Sequence, residues 1–133
     1  MKAIDTNVLV RFITNDDAKQ AKLTYQLFKQ TEENNEKLFV SLLVVLEVIW
    51  VLQSVYDASN TETLTTFSDL LLMPVLHFES ETVMQNFVES AHNTKFDLSD
   101  LLIAHAAHSF ECQSVLTFDK KAAKFKYFEL LKI

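Results

Sequence analysis

Glycine is absent from the 133 residues, and its absence excludes whole classes of chemistry. A P-loop and a dinucleotide-binding turn both need glycine where the backbone meets a phosphate, and a G-x-S-x-G nucleophile elbow needs it at a strained strand-to-helix turn. Tight turns must then be built from Asn and Asp, which tolerate left-handed backbone. Asn15-Asp16-Asp17, Asn34-Asn35 and Asn93 stand where such turns are wanted. Cysteine occurs once, as Cys112, so an internal disulfide and a Cys-rich zinc site are excluded, and a reducing, cytoplasmic setting is expected. Basic residues are scarce: 12 Lys and Arg face 18 Asp and Glu, for a formal net charge of −6. That argues against a general nucleic-acid coat, which works by phosphate neutralisation, yet leaves room for a site made of acids that holds a cation. A membrane-spanning run is missing too. The most apolar stretch, 38–52, is interrupted by Glu47 and falls short of the roughly 20 residues that a bilayer requires. No membrane association and no targeting segment are expected, since nothing basic precedes a long apolar region before Asp5.

What is present suffices for a folded interior. Apolar residues make up 49% of the chain, and a single domain over 1–133 is expected. A short strand at 2–4 ends at Asp5; a brief helix at 7–13 and a longer one at 18–33 follow, the latter with Ala21, Tyr25, Leu27 and Phe28 on its apolar side. Leu38 to Val40 reads as a strand. Ser41 then caps a helix from Leu42 to about Tyr56, although its β-branched residues also suit a strand. Asn60 is placed to cap a helix that Pro74 terminates. A strand at 75–78, helices at 80–92 and 97–110, and a buried-type strand at 114–117 complete the alternation. A short helix or irregular turn begins at Lys120, and an edge strand is expected within 128–133. Alternating strands and helices predict an α/β fold with a mostly parallel sheet of about five strands covered on both faces. Ligands of such sheets collect beyond the carboxyl ends of the strands, where Asp5 and Asp119 fall.

Four acids then stand out. Asp5, Asp100 and Asp119 each have a structural explanation. Asp5 and Asp119 suit helix N-caps, and Asp97 with Asp100 resembles a capping box written D-x-x-D. Glu47 is harder to explain away, because it is the one residue between Leu42 and Leu52 that is not apolar. Read as buried, it needs a partner: either a salt bridge to Arg11 or a lysine, or a divalent cation shared with the aspartates. Mg²⁺ or Mn²⁺ suits an all-oxygen donor set. It would also relieve the mutual repulsion of the acids, activate a water and orient a scissile phosphate.

The same residues carry a resemblance. Asp5-Thr6-Asn7-Val8-Leu9-Val10-Arg11, Val40-Ser41 through Glu47-Val48-Ile49-Trp50, Phe96-Asp97-Leu98-Ser99-Asp100-Leu101-Leu102-Ile103-Ala104 and Leu116-Thr117-Phe118-Asp119-Lys120-Lys121-Ala122 resemble, in order, the four acidic segments of PIN-domain ribonucleases, specifically the VapC-type toxins of toxin–antitoxin pairs. The resemblance implies a three-layer α/β/α fold and Mg²⁺- or Mn²⁺-dependent hydrolysis of RNA, with transfer RNA as one substrate class. It also implies inhibition by a cognate antitoxin protein, and a homodimer. Asp5 and Asp100 would be the chief metal ligands, with Asp119 and Glu47 completing the catalytic quartet. Asn7 and Thr117 would orient carboxylates through hydrogen bonds. Asp97 is ambiguous, since the family's acid aligns better with Asp100. The missing glycine departs from the family's usual final strand.

Lys120, Lys121, Lys124 and Lys126 form a basic patch that either holds RNA phosphates or is a solvated turn. Arg11 is a second phosphate candidate, or the partner of a nearby acid. His105 and His108 read as a core or surface pair rather than ligands; Trp50 and the 11 phenylalanines read as mostly core, some of these aromatics being candidates for an exposed dimer or antitoxin surface. Two other functions fit the residues less well. An aspartyl-phosphate phosphohydrolase needs D-x-D, and position 7 is Asn. A non-catalytic binding module with a degenerate site sits poorly with four acids present.

Overall fold

The computed structural model describes residues 1–132. The chain divides into two compact units, 1–81 and 82–133. In the first unit, strand β1 (Lys2–Ala3) leads through Asp5 into helix α1 (Thr6–Thr14) and helix α2 (Ala18–Glu33). Strand β2 (Leu38–Val40) precedes helix α3 (Leu42–Ser54) and helix α4 (Asn60–Leu71), and strand β3 (Leu76–Phe78) closes the unit. The three strands form one sheet in the order β1-β2-β3, with every pairing parallel; Lys2 lies opposite Leu38, and Leu38 opposite Leu76. Parallel strands require crossovers, which α1 with α2 and α3 with α4 supply. Leu9, Val10, Val40, Val45, Val48, Ile49 and Phe67 are buried at 0–1% exposure.

Helix α2 buries Ala21, Thr24, Phe28 and Thr31, a three- and four-residue spacing that selects one face. Tyr25, expected on that face, is exposed. The two threonines are admitted to the interior because their hydroxyls donate to the Gln20 and Leu27 carbonyls at 2.9 and 2.7 Å, leaving no unpaired polar group. Ser41 caps α3 as expected, its Oγ accepting the Val44 N–H at 3.1 Å. The cap of α4 is Ser59 instead of Asn60: Ser59 and Glu62 form a reciprocal capping box, the S-x-x-E signature lying one residue earlier than the Asn.

The second unit takes in helix α5 (Glu81–Ala91), which starts at its border, helix α6 (Leu98–Ser109), strand β4 (Val115–Thr117), a 3-10 turn at Ala122–Lys124 and strand β5 (Phe128–Leu130). Strands β4 and β5 pair in parallel, with Val115 opposite Phe128 and Thr117 opposite Leu130. The final strand expected over 128–133 is thus found at 128–130, and Ile133 lies outside the described residues. Met84, Phe87, Leu98 and Leu101 are fully buried.

Among the described residues five take positive φ: Asn15, Asn35, Asp57, Asn93 and Glu111, at 55 to 62°. Three of them are the asparagines at which the sequence demanded turns. Among the described residues, no helix is long and apolar enough to cross a membrane.

Candidate active site

In the first unit Asp5 stands between β1 and α1. Its extended backbone and short side chain make it the N-cap, with Oδ1 accepting the Val8 N–H at 3.1 Å. The carboxylate is exposed, as is Asn7. Glu47 lies one turn into α3, whose first N–H groups are held by Ser41 and by the Glu79 carboxylate, which accepts from Leu42 at 2.9 Å. Glu47 is exposed, which corrects the expectation of a buried carboxylate in need of a counter-ion. Helix α3 has a solvent face after all. It is spaced at three and four residues as Leu43, Glu47 and Trp50, and two of the three are apolar, so the pattern of polar residues could not reveal it. Trp50, expected in the core, is 61% exposed and Leu43 74%.

Arg11 does not serve Glu47. It donates to Gln20 Oε1 at 2.7 Å, to Tyr56 Oη at 3.3 Å and to Asp16 Oδ1 at 3.2 Å, so the reading as partner of a nearby acid holds. Tyr56, Thr14 and Arg11, in that order, keep the Asp16 carboxyl below the usual carboxylate range.

The second unit brings three acids into one electrostatic neighbourhood. Asp97 is the N-cap of α6, accepting the Ser99 N–H at 2.8 Å. Asp119 caps the turn after β4, its Oδ1 accepting from Lys121 N at 2.8 Å and Ala122 N at 3.2 Å. Thr117 Oγ1 accepts the Asp119 N–H at 3.0 Å, so the threonine fastens the backbone of the acid. Asp100 differs from both: it is partly buried in the first turn of α6, and its carboxylate receives no hydrogen bond among the described residues. Burial first, then the negative charges of Asp97 and Asp119, push its carboxyl above the usual range.

Both charges acting on Asp100 are negative, and carboxylate oxygens are the donors that Mg²⁺ and Mn²⁺ prefer. The chemistry of the donor set therefore fits a hard divalent cation. Among the described residues, however, no three Asp, Glu, His or Cys side chains come together closely enough to hold a metal ion. Sequence reasoning gave Glu47 the discriminating role and left Asp97 ambiguous. In the structure the discriminating acid is Asp100, and Asp97 is part of its surroundings. The signal was available in the D-x-x-D spacing, which sets two like charges on one helical turn.

The basic candidates Lys120 and Lys121 are exposed beside Asp119, as are Lys124 and Lys126. His105 and His108 are engaged in packing. His105 is buried, its Nε2 lying 2.6 Å from Ser90 Oγ, and His108 stacks on Tyr127 at 4.0 Å between centroids.

Comparison with known proteins bears on the family. The family model for the PIN domain matches residues 2–126. The VapC ribonuclease of Aquifex aeolicus (strain VF5) is 21% identical over 127 residues, covering 96% of this chain and 93% of that protein. With the strands of the described residues paired in parallel and a family match over nearly its whole length, the chain belongs to the PIN domain family.

Proposed function

We propose that this chain is a Mg²⁺- or Mn²⁺-dependent endoribonuclease, a toxin restrained by a cognate antitoxin protein, working in the cytoplasm as a homodimer whose protomer is one PIN domain. The observation that carries the reading is Asp100: a partly buried carboxylate beside two further acids, in a PIN-family chain similar along almost all its length to a VapC ribonuclease. An acid left in that state is costly unless a cation offsets the repulsion. Asp100 and Asp119, whose negative charges act on one another, would be two of the ligands. Asp5 and Glu47 are assigned as the other catalytic acids on the strength of the family resemblance alone, and both are exposed. Asn7 would orient Asp5, and Thr117 holds Asp119 in register. When bound, the metal lowers the pKa of a water and polarises the scissile phosphodiester. The chain's own part is to supply negative oxygens, to keep Asp100 partly dry so that its attraction for a cation is little screened, and to present Lys120 and Lys121 to substrate phosphates.

The test is cleavage of RNA by purified protein. Mn²⁺ or Mg²⁺ should support cutting and EDTA should stop it. Asp100→Asn, which keeps the shape and removes the charge, should lower the rate at least about 100-fold, equivalent to about 2.7 kcal/mol of transition-state stabilisation. The same ions should raise the melting temperature of the wild type but not of Asp100→Asn. Undiminished cleavage by that variant would remove the metal site from the proposal.

A further inference from the structure

Phe118 is 80% exposed, although it directly follows β4 and directly precedes Asp119. Among the described residues its ring has no aromatic partner, unlike Phe96, Phe125 and Tyr127 of the same unit, which pack against one another and His105. The backbone that carries it is pinned on both sides. Thr117 is paired with Leu130 and accepts the Asp119 N–H, and Asp119 accepts from Lys121 and Ala122 through its side chain and from Ala123 through its carbonyl at 3.0 Å. The ring is therefore held out on a fixed turn and is not a frayed end. Lys120 and Lys121 follow it two and three residues on and are exposed, as are Lys124 and Lys126, a local positive run in the sequence of a chain of net charge −6.

We propose that Phe118 is a stacking platform for an unpaired base of the RNA substrate, the neighbouring lysines taking its phosphates; the inference rests on the ribonuclease reading. A flat apolar ring beside basic side chains is the pairing that single-stranded nucleic acid recognises, because any base offers a π-face and its flanking phosphates offer charge. A duplex hides those faces, so the substrate chemistry is an unstacked loop or single strand. Lysine is depleted at the centres of protein interfaces, so the surroundings of Phe118 match a polyanion better than a protein partner.

The experiment compares wild type with Phe118→Ala, Phe118→Trp and Phe110→Ala. Phe110 is equally exposed, at 85%, but adjoins Glu111 and no lysine. Binding of a fluorescein-labelled single-stranded RNA of mixed sequence is read by anisotropy in EDTA, and cleavage separately with Mn²⁺. Phe118→Ala should weaken binding roughly tenfold and raise KM more than it lowers kcat, with an unchanged salt slope. Phe118→Trp should restore binding, and its indole fluorescence should be quenched by RNA. Phe110→Ala should match wild type. Wild type that cuts RNA while Phe118→Ala binds it equally well overturns the stacking inference alone. Phe118→Ala that keeps RNA binding but loses self-association in sedimentation assigns the ring to a protein contact and also overturns it. Wild type that binds RNA through Phe118 but cuts none with Mn²⁺ overturns the ribonuclease reading instead.

Discussion

Asp5 has two roles that substitution can separate. As N-cap it accepts the Val8 N–H at 3.1 Å. As a proposed metal ligand it contributes negative charge. Asn caps a helix about as well as Asp does, whereas Ala cannot cap at all. Asp5→Ala should therefore cost about 1 kcal/mol, a fall of about 4 °C in melting temperature for a chain of this size. Asp5→Asn should cost no more than about 0.5 kcal/mol, from the lost attraction between charge and helix dipole at an exposed site. Cleavage should not follow that order. Both variants lose the ligand charge, and both should fall by about two to three orders of magnitude, since a metal contributes several kcal/mol to the transition state. Thermal melts followed by circular dichroism give the stability arm, and RNA cleavage with Mn²⁺ gives the other. If Asp5→Asn cuts RNA like the wild type while Asp5→Ala is merely less stable, Asp5 is a cap and nothing more.

His105 predicts an acid-sensitive second unit. Burial first, then the positive charges of His108 and Lys126, hold its pKa below the ordinary 6.5, with Ser90, Phe125 and Tyr127 packed around it. The unfolded imidazole takes up its proton more readily, so stability is full above 6.5 and drains as pH falls through the folded value. Urea midpoints taken from neutral pH to about 5 should decline, and His105→Gln should flatten that part of the decline; an identical slope in the variant would refute it. Glu111 holds φ at 62° with a side chain poorly suited to left-handed backbone, so Glu111→Asn should stabilise by up to about 1 kcal/mol in denaturant melts, and a loss would show that Glu111 makes an offsetting contact. Trp50, the single tryptophan, is 61% exposed. Its fluorescence should be red-shifted and freely quenched by acrylamide; blue-shifted, protected emission would mean that another chain covers α3.

The elements of the fold were legible because local rules agreed with one another. Asn15, Asn35 and Asn93 had to turn the chain without glycine, and all three do so with positive φ. Ser41 before an apolar run announced α3, and the apolar triplet Leu38–Val40 announced β2. Misjudgements arose where two candidates competed within a residue or two. Ser59 outranks Asn60 as a cap because only Ser59 has a glutamate three positions on. Tyr25 loses its place inside to Thr24, which can bury itself by bonding its own hydroxyl to the preceding turn, an option that a count of apolar residues does not register.

The acids show why a site is harder to read than a fold. Glu47 looked exceptional because every neighbour was apolar, but burial depends on what covers a helix, and nothing in residues 42–52 says that the Leu43–Trp50 face remains open. Exposure removes the cost that made Glu47 seem to demand a cation, so the electrostatic case passes to Asp100, where partial burial and two like charges coincide. The other aspartates satisfy backbone N–H groups at 2.8 to 3.2 Å, and such a bond leaves a carboxylate with further lone pairs. Capping and metal binding are therefore compatible in Asp5 and Asp119. The cap sets where the carboxylate stands, and its second oxygen remains free to meet an ion. If both acids serve the proposed metal site, an N-cap bond holds Asp5 and turn bonds hold Asp119 at fixed points.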